Sequence, residues 1–129
     1  MFSKSVFRAY DIRGIYPDEI NKPLVKDVAR VLSEDFFGEG VVVLGMDIRI
    51  GSEELYAEAL KELKRLGREV ADAGVITTPM LTFLINDLDA AGGIMITASH
   101  NPKEYNGVKA LGSLGIPING EEVYQKLAQ

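Results

Sequence analysis

The sequence predicts an α/β fold: a three-layer α/β/α arrangement around a mixed, mostly parallel sheet of four strands. Three observations carry that prediction. Strand-like and helix-like segments alternate along the 129 residues, and strands joined through helical crossovers imply βαβ units. Val41-Val42-Val43-Leu44 is a continuous, mostly β-branched run, the pattern of a strand buried on both faces. The helical segments instead carry an apolar stripe, so they cover the sheet from outside.

Each element follows from local signals. Asn21 can cap a first helix, with Pro23 in the first turn where a missing N–H costs little. Leu24, Val25, Val28, Val31, Leu32 and Phe36 then recur at helical spacing, and Gly38 and Gly40 close the segment. After the Val41–Leu44 strand, Ser52 reads as the cap of a second helix. Glu53 and Glu54 sit in its first turn, where the helix dipole favours anions. Leu55, Ala59, Leu63 and Leu66 form its stripe, Lys64 and Arg65 fill its last turn, and Gly67 suits the C′ position. Arg68–Ala73 reads as another strand. Thr78-Pro79 reads as an N-cap followed by proline at the first helical position, opening a short apolar helix over Met80–Leu88. Ala91–Ala98 is a strand with glycines at its entry, and Asn106-Gly107 is a turn signal before a strand at Val108–Leu111. A last helix starts at Glu121 without a glycine or proline terminator and reads as cut rather than finished. Val6–Ile15 fits a strand, a hairpin arm or an extended lead-in alike.

Composition narrows the function classes. A chain of this length is one domain able to bury a core without staples. Lysine and arginine number 14 against 19 acids, a net charge of −5, which argues against a nucleic-acid coat. The apolar runs are far shorter than the ~20 residues of a membrane span, and the scattered charges of Met1–Arg13 do not read as a leader. Absence of cysteine excludes disulfides and thiolate metal sites and fits a reducing compartment, so a cytoplasmic location is expected.

Two segments gather polar groups against that acidic background. Phe7-Arg8-Ala9-Tyr10-Asp11-Ile12-Arg13-Gly14 places two arginines around a tyrosine and an aspartate. Guanidinium forks match phosphate oxygens, although a surface strand with Asp11 pairing an arginine fits the same pattern. Thr97-Ala98-Ser99-His100-Asn101-Pro102, continuing through Lys103 to Lys109, follows a buried strand directly. Ligands of open α/β sheets bind beyond the carboxyl ends of strands. A plain turn, with Ser99 as its cap and Asn101-Pro102 as its start, fits as well. Other chemistries lack their motifs. There is no G-x-S-x-G elbow, no G-x-x-x-x-G-K-[ST] or G-x-G-x-x-G loop, no zinc-forming set of histidines and cysteines, and no calcium-loop spacing of acids.

Read in order, F-R-A-Y-D-I-R-G, then G-x-D-x-R after the first buried strand, T-P-M, and finally G-G-I-M-I-T-A-S-H-N-P-K-E-Y-N-G-V-K resemble the first domain of the α-D-phosphohexomutases. Within them the phosphoglucomutase/phosphomannomutase branch is the nearer match, and the resemblance covers essentially the whole chain. It implies that Ser99 carries a phosphate, passes it to a hexose monophosphate, and recovers the other phosphate of the resulting hexose 1,6-bisphosphate. It further implies a Mg²⁺ ion bound through phosphorylated Ser99, with Lys109 beside the transferring phosphate as the acid/base candidate. Tyr10 and Arg13 are implied as contacts to the phosphoryl group or sugar phosphate, and His100 and Asn101 as flanking substrate-binding residues. Such a phosphotransfer needs alignment and charge neutralisation more than covalent work.

Two departures bear on the resemblance. The family's usual G-R-D-x-R is Gly45-Met46-Asp47-Ile48-Arg49 here, so Asp47 and Arg49 carry over only as structural polar residues. The family's aspartate-rich metal loop, sugar-specificity loop and phosphate clamp belong to three further domains that this chain lacks. The expected partners are therefore hexose phosphates and the remaining domains of the same polypeptide, with no nucleic acid and no membrane. The domain alone is expected to show no appreciable turnover. A non-catalytic phosphate- or phosphosugar-binding module is the alternative. A phosphoglucosamine mutase domain ranks below both, because its F-G-T-D-G-I-R-G opening is missing.

Overall fold

The structure is a computed structural model and describes residues 2–129. Among these residues five strands and four α-helices follow in the order β1 (Ile12–Ile15), α1 (Lys22–Val31), β2 (Val42–Met46), α2 (Ser52–Arg65), β3 (Val70–Val75), α3 (Thr78–Asp87), β4 (Gly92–Ile96), β5 (Tyr105–Gly112) and α4 (Gly120–Leu127). One sheet holds all five strands in the order β1-β5-β4-β2-β3. The α/β class is as expected, but there are five strands rather than four. β2 pairs parallel with β3 and β4, whereas β5 pairs antiparallel with β4 and β1. The additional strand lies in the ambiguous Val6–Ile15 stretch. Its residues alternate between buried and half-buried, too short a pattern to distinguish a strand from a lead-in.

Helices α1, α2 and α4 cover one face of the sheet and α3 covers the other. On the first face Leu24, Val28, Leu55 and Leu63 pack against Leu44, Ile94 and Ile96. On the second, Leu81 and Ile85 pack against Val43, Met95 and Leu111. α3 lies over β2 and β4, so the β1–β5 side of its face is left without a helix along most of its length.

Three local readings need correction. Gly51, at φ 89°, takes the cap position of α2, and Ser52 is buried in the first turn. Its hydroxyl accepts from Arg49 N–H and Asn106 Nδ2 and donates to Asp47, so it ties loops together instead of capping. Thr77, one residue before Thr78, caps α3 through its bond to Met80 N–H at 3.2 Å. Asn106-Gly107 lies inside β5 and forms no turn. Asn106 is fully buried, with its amide bonded to Ile50 O and Ser52 Oγ at 3.1 Å each. The Asn-Gly pair marks a buried tie and a close backbone approach rather than a reversal. Other signals hold: Asn21 accepts from Leu24 N–H at 3.1 Å, and Gly67 follows α2 at φ 81°.

Two polar groups of α2 are buried, one paired within the helix and one bonded across to the sheet. Glu62 is 2% exposed and makes two 2.7 Å bonds to Arg65, which hold its carboxyl below the usual glutamate range. The Tyr56 hydroxyl donates to the Asp72 carboxylate, accepts from Gly74 N–H at 3.0 Å and lies 3.1 Å from Leu44 O. Burial, helped by the bond to Asp72, pushes its pKa up to about 12. Tyr56→Phe leaves the Gly74 donor unpaired, so a loss of about 1–3 kcal/mol is expected in urea unfolding. An unchanged midpoint would show that this hydroxyl contributes nothing.

Among the described residues, no helix is long and apolar enough to cross a membrane.

Candidate active site

β4 ends at Ile96, and residues 97–104 turn the chain back into β5. This loop stands beyond the carboxyl ends of β2 and β4, which run parallel and adjacent, the position where open α/β sheets place ligands. Ser99 is exposed and has φ 54°. A left-handed serine costs roughly 1–2 kcal/mol, so neighbouring bonds must hold it. Ser99 N–H donates to Thr97 Oγ1 at 2.9 Å. Asn101 returns two bonds to Ala98 O, from its backbone N–H at 3.1 Å and its side-chain amide at 2.7 Å.

The strongest tie comes from the β2 end. The Arg49 guanidinium, with its side chain 13% exposed, donates to four carbonyls, three in the loop and one at the first residue of β5. These are Ser99 O at 2.6 Å, Asn101 O at 2.9 Å, Pro102 O at 2.8 Å and Tyr105 O at 3.1 Å. Asp47 lies 3.4 Å from Arg49 Nε and accepts from the Thr97 hydroxyl at 2.6 Å. One carboxylate thus anchors both the guanidinium and the hydroxyl that receives Ser99 N–H. Above them opens a cleft of about 500 Å³ lined by Asp47, Ile48, Arg49, Ile50, Ser99, Asn101 and Lys103.

The register brings two cations to the neighbouring sheet face. Arg13 is opposite Gly107 on β5, and Lys109 is opposite Met95 on β4. Opposed residues and residues two apart on a strand share a face, so Arg13 and Lys109 lie on the side that carries α3, beyond its cover. Gly107 O accepts from Thr97 N–H at 2.9 Å, which joins this edge to the root of the Ser99 loop. Arg13 is 3.8 Å from Asp11. That ion pair fits the reading of the opening segment as a surface strand with Asp11 pairing an arginine.

The other sequence candidates stand apart. Tyr10 is 72% exposed beside the bridge that pairs Phe7 with Ile12, and it makes no hydrogen bond to the loop. His100 and Lys103 are exposed beside Ser99 and, among the described residues, form no hydrogen bond or ion pair. The amide nitrogen of Asn101 is spent on Ala98. Sequence reasoning gave Asp47 and Arg49 a structural role only, read Ser52 as a helix cap, and gave the Thr97 hydroxyl no role. The available signal was positional: G-x-D-x-R and T-A-S each follow a buried strand, and parallel neighbours bring such ends together.

Residues 4–129 match the family model described as phosphoglucomutase/phosphomannomutase, alpha/beta/alpha domain I. A Xanthomonas campestris protein named phosphohexose mutases is 43% identical over 89% of this chain and 25% of its own length. A Klebsiella pneumoniae phosphomannomutase is 37% identical over 94% of this chain and 76% of its own length. A crystal structure of a phosphoglucomutase/phosphomannomutase family protein from Burkholderia thailandensis superposes with a TM-score of 0.82 at 28% identity, covering 99% of this chain and 31% of that one. The chain spans about a quarter of the length of the first of these relatives. With a match over nearly all its residues and the fold to go with it, this chain belongs to the phosphoglucomutase/phosphomannomutase family as its α/β/α domain I.

Proposed function

We propose that this chain is the phosphoserine-bearing domain of a phosphohexomutase that interconverts hexose 1-phosphates and hexose 6-phosphates. The observation that carries the proposal is Ser99 itself: exposed, left-handed and tied down at the carboxyl end of β4, with Arg13 and Lys109 on the adjoining edge. Phosphate on Ser99 adds close to two negative charges at neutral pH, and cations on the neighbouring strands lower the cost of bringing a second phosphate near.

In the forward half-reaction a sugar hydroxyl oxygen attacks the phosphorus, the P–O bond to Ser99 Oγ breaks, and the hydroxyl proton leaves. Lys109, as the ammonium, gives a proton to the departing Ser99 Oγ and takes the sugar hydroxyl's proton in its place. The return step reverses these roles from the bisphosphorylated sugar. Arg13 holds phosphate oxygens with its planar fork, while exposed Tyr10 and His100 and the free side-chain oxygen of half-buried Asn101 meet the sugar phosphate. Phosphorylated Ser99 also supplies the hard oxygen that Mg²⁺ prefers. Among the described residues no group of three acidic or imidazole side chains offers the remaining ligands, so the rest of such a site would come from outside this chain. When bound, the ion would offset phosphate charge. By the same logic, the 129-residue domain alone would lack turnover.

Intact-mass and peptide analysis of the full-length protein tests the reading. It expects a single phosphate on the Ser99 peptide that increases with glucose 1,6-bisphosphate. Phosphate on another residue with Ser99 always bare would refute it. Binding of hexose phosphates unaffected by Ser99→Ala, with no transfer in the wild type, would favour the non-catalytic module.

A further inference from the structure

We infer that Arg49 is a positioning residue for phosphoryl transfer: its guanidinium, set by Asp47, fixes the left-handed presentation of the Ser99 hydroxyl. This rests on the phosphoserine reading of Ser99.

The guanidinium is mostly buried and spends its donors on four backbone carbonyls spread from Ser99 to Tyr105, the stretch that carries the chain from the serine into β5. Carbonyls that converge on one cation cannot rotate away singly. The bond to Ser99 O, at 2.6 Å, acts on the very residue whose φ is 54°. On the amino side of Ser99, its N–H is held by the Thr97 hydroxyl, and that hydroxyl by the Asp47 carboxylate that also sits 3.4 Å from Arg49. Both ends of the Ser99 residue, N–H and C=O, are therefore fixed from a single Asp47–Arg49 pair in the loop that follows β2. The Ser99 side chain makes no hydrogen bond among the described residues and stays free for chemistry.

Lysine cannot replace this arrangement. It offers three donors on a point charge and cannot span a planar fan of four carbonyls. The fold contains its own control. Arg68 makes a similar clamp at the opposite end of the sheet, donating to Ser33 O, Gly38 O and Gly40 O at 2.8, 2.5 and 3.0 Å, and to Ser33 Oγ at 3.1 Å. No candidate site residue lies there, so Arg68 reports what losing a carbonyl clamp does to stability alone.

The test compares Arg49→Lys with Arg68→Lys in the full-length mutase that carries this domain. The readouts are kcat and KM for glucose 1-phosphate and mannose 1-phosphate, the rate of Ser99 phosphorylation by glucose 1,6-bisphosphate, and the thermal midpoint. Arg49→Lys is expected to lower kcat and the phosphorylation rate together, by about 100-fold, with KM within about threefold of wild type. Arg68→Lys is expected to lower the midpoint with kcat unchanged. Equal kcat in the two variants after correction for folded fraction, or a rise in KM alone for Arg49→Lys, overturns the inference. If Arg49→Lys does not fold, Thr97→Val, which removes only the hydroxyl between Asp47 and Ser99 N–H, carries the same expectation, and a normal kcat there overturns it. The two readings fail separately. Wild-type protein that never carries phosphate on Ser99 refutes the proposed function, whereas a phosphorylated wild type with a normally active Arg49→Lys refutes only the clamp.

Discussion

Ser99→Ala in the full-length protein is expected to reduce phosphoryl transfer by at least about 10⁴-fold, because it removes the oxygen that forms and breaks the bond to phosphorus. Folding should be unaffected. The Ser99 hydroxyl is exposed and unbonded, and the loop is held by backbone groups that alanine retains. Serine and alanine also pay a similar penalty at φ 54°. Ser99→Gly sharpens the expectation. Glycine pays no such penalty, so this variant should be inactive yet no less stable than Ser99→Ala, and more stable by up to about 1 kcal/mol. A coupled mutase assay and thermal unfolding of the three proteins check both halves. Turnover within tenfold of wild type in either variant would remove Ser99 from the chemistry. A less stable Ser99→Gly would mean that the loop is not strained at this residue.

Much of this was legible before any coordinates, for physical reasons that differ by element. The Val41–Leu44 strand and the stripes of α1 and α2 declare themselves because burial on two faces or one leaves a periodic mark. β1 does not, since four residues at a sheet edge carry too few alternations. Asn106-Gly107 misled because one dipeptide serves two ends. Its usual use is a turn, but here the amide is a buried tie and the missing side chain admits a neighbouring backbone. The site shows the same division. Ser99 and its neighbours were readable as a short linear string, and the pairing of β1 with β5 could not be seen until Arg13 and Lys109 stood on one face. Arg49 acts on residues fifty or more positions away, and a cation that binds carbonyls leaves no partner pattern in sequence.

Gly107→Ala should be the most damaging single methyl in this domain. A Cβ there would overlap the Ile12 carbonyl oxygen and lie 3.0 Å from both Arg13 Cα and Thr97 O. All three obstacles are backbone, two on the edge strand β1 and one at the root of the Ser99 loop, so no side-chain rotation relieves them. β1 must move off β5, and Arg13, the residue paired with Gly107, moves with it. Overpacking of this kind costs about 3 kcal/mol. Gly112→Ala at the far end of the same strand is the control. Its nearest neighbour would be Ile116 O at 3.6 Å, an ordinary contact, so a change within about 0.5 kcal/mol is expected. Urea unfolding separates the two variants, and comparable midpoints would contradict the close approach of β1 to β5. In the full-length protein, Gly107→Ala should also lose more activity than its folded fraction explains, because the displaced strand carries Arg13 and the glycine's carbonyl holds Thr97 N–H. If activity instead tracks the folded fraction alone, Arg13 and the Thr97 anchor have no part in transfer. The strand pairing would then serve the fold and leave the chemistry to the loop.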